Sequence, residues 1–312
     1  MTRKLLSRRV AVTGATGFIG MHLLRGLHAA GAEIVAIVAA DKHIERLDSL
    51  PFSVQRVILG DASDMGGAIR EAKAGYVIHL SAFVSTARSL EALGATLRDN
   101  LLATISLLTA AAELHADRVI LMGSCEEYSQ RSSPFDTAGA TDPSSPYGAS
   151  KAAATAYARM FSNSFGLSTV VLRPSVVYGP GQSERMLISQ VMKAISQNRP
   201  VEVTAGEQTR DFIYVEDVVN AIIQSLTVPN VGRGVWNIGS GEVVTVRSCL
   251  ERIERITGRA GLIEYGKRPY TENEIFQYEL KDEETYATLD WKPSITLDAG
   301  LRKTWEFFRD KA

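Results

Sequence analysis

Through its first 175 residues the chain alternates short, almost continuously apolar runs with longer stretches of helical periodicity, and no other feature restricts the fold as much. RRVAVTGA, EIVAIVAA, VQRVILGD, GYVIHLSA, DRVILMGS and STVVLRPSVVYG read as strands. FIGMHLLRGLHAAG (closed by Gly31), ATLRDNLLATISLLTAAAELHA and YGASKAAATAYARMFSNSFG read as helices. A strand apolar on both sides has to be covered on both faces. Strict alternation therefore predicts an α/β fold, a doubly wound parallel sheet with ligands at the C-terminal ends of its strands. Beyond residue 175 the rhythm loosens. ERMLISQVMKAISQN, VEDVVNAIIQSLT, TVRSCLERIERITG (closed by Gly258) and LDAGLRKTWEFFRD are amphipathic helices, and RGVWNIGS is one further strand. The rest, including KRPYTENEIFQYELKDEETYATLDWKPS, reads as turns with charge, a smaller C-terminal lobe over the sheet edge.

Charge excludes some partners. With 34 Lys and Arg against 35 Asp and Glu, the net charge of -1 offers no electrostatic footprint for nucleic acid or an anionic membrane. The apolar part of the opening segment is short and broken by Arg8, Arg9 and glycines, so it reads as a first strand and neither a membrane span nor a signal peptide. Cys125 and Cys249 stand far apart, which favours a reducing cytoplasm without a disulfide framework. Neither the cysteines nor the five histidines show metal-ligand spacing, so no metal is expected.

At the first strand-to-helix turn, TGATGFIG places Gly14, Gly17 and Gly20. Glycines there let the backbone approach a pyrophosphate lying against the positive end of a helix. The end of the second strand carries Ala39 and Ala40 where an acid for an NAD ribose would stand; Asp41 comes late. Lys42, His43 and Arg46 follow, cations suited to a 2′-phosphate, so NADP(H) is favoured and NAD(H) is possible. Asp61 after the third strand is an acceptor for an adenine amino group or, equally, a turn cap.

SSPYGASKAAA sets Tyr147 and Lys151 one helical turn apart at the start of a helix entered through Pro146. A phenol of pKa ~10 needs a nearby cation to exchange protons at neutral pH, and an ammonium on the same helix face supplies one. TGATGFIG, DNLLATISLLTAA, Ser124 after the fifth strand, SPYGASK, LRPSVVYGPGQ and TRDFIYVEDV follow in order. That series resembles the extended short-chain dehydrogenase/reductase family of NAD(P)-dependent nucleotide-sugar epimerases, dehydratases and reductases, over nearly the whole chain.

The resemblance implies an oxidoreductase with a Ser124, Tyr147 and Lys151 centre. It implies cofactor contacts at Gly14, Thr16, Gly17, Phe18, Ile19, Gly20, Ala39, Lys42, Asp61, Ala62, Leu80, Ser81, Ala82, Asn100, Pro174 and Val177, besides Tyr147 and Lys151. A nucleotide-diphosphate sugar would be met by Phe83, Ser124, Glu126, Arg185, Arg210 and Arg268; Arg173 reads as a strand cap. Residues 1–175, with elements from 211–260, would form the Rossmann-type NAD(P) domain, and 176–210 with 261–312 the substrate lobe. Around Ser124, GSCEEYS is most similar to the 4-keto-6-deoxysugar reductases, departing at Cys125 and Ser129, with Glu126 facing substrate and Glu127 structural. The expected reaction is thus reduction of the 4-keto group of a nucleotide-linked 4-keto-6-deoxyhexose. The alternatives are a 4,6- or 5,6-dehydratase using Cys125 and Glu126 as acid and base, a 4-epimerase, and a non-catalytic NADP-binding regulatory protein. Family members pair through two long helices, so a homodimer is expected.

Overall fold

The computed structural model describes residues 8–39, 43–85, 89–128, 133–231, 233–271 and 274–310. Of the positions singled out in the sequence, Ala40, Asp41, Lys42 and Ser129 lie outside them, and of Ala62 only the backbone is described.

Seven parallel strands make the central sheet: β1 (Arg9–Thr13), β2 (Glu33–Ala39), β3 (Gln55–Leu59), β4 (Tyr76–His79), β5 (Arg118–Met122), β6 (Thr169–Pro174) and, after further strands, β10 (Gly234–Ile238). Their order is β10-β6-β5-β4-β1-β2-β3, a doubly wound Rossmann-type arrangement whose direction reverses beside β1. Alternate residues of each strand feed two separate cores. Val10, Val12, Ile34, Ala36, Ile120 and Leu172 pack with α1 (Phe18–Ala29) and α7 (Val215–Thr227). Ala11, Val35, Ile37, Val119, Leu121 and Val171 pack under α2 (Met65–Ala72), α4 (Ala103–Glu113) and α5 (Pro146–Phe165). Burial of both faces is the physical origin of the continuous apolar runs.

The long helix expected from ATLRDNLLATISLLTAAAELHA is composite: α3 (Ala92–Thr96), a π-helical stretch Leu97–Leu102, then α4. The run STVVLRPSVVYG is also divided. Pro174 has no N–H for the ladder, β6 ends there, and β7 (Val176–Tyr178) leaves for a second sheet of order β11-β9-β7, with β9 at Thr209–Tyr214 and β11 at Val243–Thr245. This sheet, a two-stranded one of β8 (Val201–Glu202) and β12 (Ile263–Glu264), and helices α6 (Leu187–Ser196), α8 (Val246–Thr257) and α10 (Leu297–Arg309) enclose a third core. A ninth helix, α9 (Glu283–Leu289), lies within the charged stretch read from sequence as turns. No helix among the described residues is long and apolar enough to cross a membrane.

Candidate active site

The glycine turn is built for close backbone approach. Gly14 has φ 65°, and a Cβ there would lie 2.8 Å from the Ser81 nitrogen. A side chain on Gly20 would run into the Gly14 and Ala15 carbonyls. Helix α1 starts at Gly17 without a side-chain cap or an acid in its first turn, so the N–H groups around Phe18 and Ile19 stay available to an anion. These features fit a dinucleotide pyrophosphate. Behind the turn, a hydrogen-bonded relay sets the strand ends. The Thr104 hydroxyl donates to the Asn100 carbonyl, so it accepts from His79 Nε2 (3.0 Å). His79 Nδ1 then accepts from Thr13 Oγ1 (2.7 Å), which accepts the Ser81 N–H beside Leu80 and Ala82. Burial, reinforced by the Lys151 charge, pushes His79 down to about 3, which keeps the ring neutral for this task.

Asn100, expected at the cofactor, spends its amide elsewhere. It accepts from the Phe83 N–H at 2.7 Å and donates to the Phe83 carbonyl and to Ser150 Oγ, pinning the loop after β4 to the start of α5. Asp61 serves as a cap: its exposed carboxylate accepts from the Ser63 hydroxyl and N–H, which lower its pKa.

Ser124 opens a short 3₁₀ turn, Cys125–Glu127, through a reciprocal capping box. Its hydroxyl accepts the Glu126 N–H at 3.1 Å, and the Glu127 carboxylate accepts the Ser124 N–H at 2.9 Å. Glu127 is fully buried and also accepts from Thr155 and, at 2.5 Å, from Arg173, itself 1% exposed. Arg173 reaches on to the Tyr128 hydroxyl, which donates to Asn237. The turn is therefore bolted to β6, β10 and α5. Gly148 brings α5 against it, because a Cβ there would strike the Glu126 carbonyl. That approach sets Tyr147, at the start of α5, beside the turn that carries Ser124.

Burial raises the Tyr147 phenol well above its usual range, while the Ser124 side chain opposes the rise. Lys151 is buried, donates to the Met122 carbonyl at 2.8 Å and lies 5.9 Å from the Tyr147 ring centroid. Burial brings its pKa down to about 8 against the Glu127 charge. Cys125, the acid of the dehydratase alternative, lies in a closed apolar cluster. Its thiol is enclosed with Tyr128, Phe135, Tyr278 and Leu280, and burial, helped by the Glu126 charge, pushes it up to about 12. Glu126 itself is half-buried.

A cavity of about 380 Å³ opens beside Val177, lined by Val176, Gln182, Val203, Gln208, Arg210 and Arg268 among others. Arg210 is held by the Thr209 and Ile275 carbonyls (2.7 Å each) and by Glu274 at 2.5 Å. Arg185 is exposed in the loop before α6, and Phe83 is 39% exposed in the loop after β4. The structure thus brings Arg210 and Arg268 to one cavity, with Arg185 outside its wall. Reading the sequence missed Glu274 and Tyr278, in segments without periodicity, and Thr155 on α5 and Asn237 on β10, whose partners only the packing reveals. Glu127→Gln leaves the Arg173 cation buried without its counter-charge; we expect a loss of about 3–5 kcal/mol in urea denaturation, with Glu126→Gln within about 1 kcal/mol of wild type.

The sequence pattern of the NAD dependent epimerase/dehydratase family matches residues 10–239. The chain is 29% identical over 315 residues to the UDP-glucose 4-epimerase of Mycolicibacterium smegmatis, covering 97% of this chain and 99% of that one. MoeE5 in complex with UDP-glucuronic acid and NAD is similar at TM-score 0.86 and 30% identity, over 97% of this chain and 100% of that one. The Thermus thermophilus UDP-glucose 4-epimerase complex with NAD is similar at TM-score 0.86 and 28% identity, over 97% and 100%. These complexes overturn the expectation of NADP(H) in favour of NAD. The cations invoked for a 2′-phosphate are engaged otherwise: His43 meets Glu45 at 3.2 Å and Arg46 donates to the Thr16 carbonyl at 2.8 Å, while Lys42 lies outside the described residues. Glycine turn, Ser–Tyr–Lys centre and sequence pattern agree: this chain is an enzyme of the NAD dependent epimerase/dehydratase family.

Proposed function

We propose that the protein interconverts 4-epimers of a UDP-linked hexose or hexuronate with a retained NAD. The observation that carries this is the likeness, over 97% of this chain, to the Mycolicibacterium smegmatis UDP-glucose 4-epimerase and to the Thermus thermophilus UDP-glucose 4-epimerase complex with NAD. Ser124, Tyr147 and Lys151 are the groups that move a proton at one carbon. A bound NAD would supply hydride acceptance at the sugar carbon and hydride return to the opposite face of the 4-keto sugar, which is what inverts the centre. Tyr147 accepts the proton of the 4-hydroxyl as the bond to hydrogen breaks and gives it back to the 4-keto oxygen. Ser124 hydrogen-bonds that same oxygen. Lys151 supplies positive charge beside the phenol, whose pKa burial has raised, and holds the nicotinamide ribose. Glu126 accepts from sugar hydroxyls, while Arg210 and Arg268 take the diphosphate. The MoeE5 complex with UDP-glucuronic acid and the 4-epimerases similar in sequence and structure support UDP as the nucleotide.

The similarity of GSCEEYS to the 4-keto-6-deoxysugar reductases favours a second reading, net reduction of a keto-sugar. A reductase has to release its oxidised cofactor after each turnover; similarity to NAD-holding 4-epimerases weighs against it. Incubation with UDP-glucose and with UDP-glucuronic acid, followed by NMR at the sugar C4, tests the proposal. One of them should give its 4-epimer, and Tyr147→Phe should slow this by about 10²–10⁴-fold. Absence of any 4-epimer from either would reject the reading.

We further propose a homodimer. Leu93 of α3 and Leu97 of the π-helical stretch (49% and 51% exposed), and Tyr157 and Met160 of α5, are exposed apolar side chains on elements that pack together, and a two-fold axis would match such a surface to itself. Leu97→Glu should convert a sedimenting dimer to monomer; a wild type that sediments as monomer overturns this.

A further inference from the structure

The cation assigned to the substrate diphosphate already carries a carboxylate. Arg210 and Glu274 line the same cavity, and Arg210 Nη2 lies 2.5 Å from Glu274 Oε1, with the two side chains 18% and 15% exposed. Arg210 Nη1 is taken by the Thr209 and Ile275 carbonyls at 2.7 Å each, so Nη2 is where the guanidinium meets an anion. The Thr271 hydroxyl, from an exposed position, donates to Glu274 Oε2 at 2.8 Å. The backbone beyond the carboxylate is fastened separately. The Thr209 N–H donates to the Phe276 carbonyl at 2.8 Å, and the Tyr278 N–H donates to Thr209 Oγ1 at 3.2 Å. The Tyr270 hydroxyl accepts the Glu207 N–H at 3.0 Å, and its ring lies 5.0 Å from that of Phe276. Glu274 can therefore leave Arg210 by turning its side chain alone, while the backbone of Phe276 and Tyr278 stays on β9.

We propose that Glu274 holds the place of a phosphate on Arg210 and sets how tightly the cavity grips an anionic nucleotide. The inference rests on the assignment of Arg210 and Arg268 to the substrate diphosphate. A partly buried guanidinium is costly without a counter-charge, and the carboxylate supplies one. A diphosphate arriving at Nη2 would set two like charges beside one cation, so Glu274 has to give way. Binding exchanges one charge-assisted hydrogen bond for another, and the affinity is lowered by the bond given up. A diphosphate that also reaches Arg268 prevails over the single carboxylate, whereas a neutral nucleoside leaves the ion pair as it is. For an enzyme that must release its product after each turnover, the weaker grip spares it from holding substrate and product too tightly.

Titration calorimetry with UDP and with uridine, in the absence of turnover, tests this on wild type, Glu274→Gln, Glu274→Ala and Arg210→Gln. Glu274→Gln keeps the size of the side chain and removes its charge. It should bind UDP about tenfold more tightly, with uridine within about twofold of wild type. Arg210→Gln should weaken UDP by about tenfold and again leave uridine within about twofold. In steady state the gain in Glu274→Gln should appear as a lower KM for the UDP-sugar, with kcat no higher than in wild type. UDP held equally or more weakly by Glu274→Gln, with uridine unchanged, makes the carboxylate a bystander or a ligand of the nucleotide and overturns the proposal. Weaker binding of both UDP and uridine by Glu274→Gln and Glu274→Ala alike reduces Glu274 to packing and overturns it too. Wild-type UDP affinity in Arg210→Gln places the diphosphate elsewhere and overturns the inference together with that assignment. Tighter UDP in Glu274→Gln of a protein that makes no 4-epimer supports the role of Glu274 and rejects only the assigned reaction.

Discussion

The buried ion pair between Glu127 and Arg173 is the contact on which the arrangement of the site depends. At 2.5 Å, with both partners all but inaccessible, it fastens the turn after β5 to β6. Such a pair adds little net stability over an apolar substitute, because desolvation offsets most of the attraction. Its value here is geometric. Glu127 uses its second oxygen to accept the Ser124 N–H, so the residue that neutralises Arg173 also orients the serine. Thr155 on α5 donates to the same carboxylate, which ties the helix bearing Tyr147 and Lys151 to the same anchor. Three separate elements are thus referenced to one carboxylate.

Around that anchor the electrostatics run against catalysis until ligands arrive. Burial holds the Tyr147 phenol protonated and draws the Lys151 ammonium towards neutrality. A positively charged nicotinamide would favour the phenolate, so proton abstraction is matched to the oxidised cofactor. That pairing suits a redox-neutral cycle in which one NAD serves repeatedly.

How much of this was legible in the sequence follows physical lines. The central sheet was, since strands buried on both faces must be apolar throughout, and Gly31 and Gly258 marked helix ends by their positive φ. The glycine turn, Tyr147 and Lys151 were legible because chemistry fixes their spacing. The break at Pro174 was not, since β7 continues the same apolar pattern into another sheet. Nor were the residues that enclose Cys125, namely Phe135, Tyr278 and Leu280, which are distant in sequence and brought together only by the fold. The cofactor preference failed for a related reason. His43 and Arg46 looked available as a string of letters, whereas the fold gives them Glu45 and the Thr16 carbonyl.

The central claim is that the chemistry is redox-neutral, and the most direct test follows the nicotinamide. Purified protein is given UDP-sugar with no added cofactor while absorbance in the near ultraviolet and product are recorded together. The account predicts many turnovers per chain with no net accumulation or loss of reduced nicotinamide, and NAD released intact on denaturation. Product that appears only with added NADPH or NADH, consumed one for one, would contradict it.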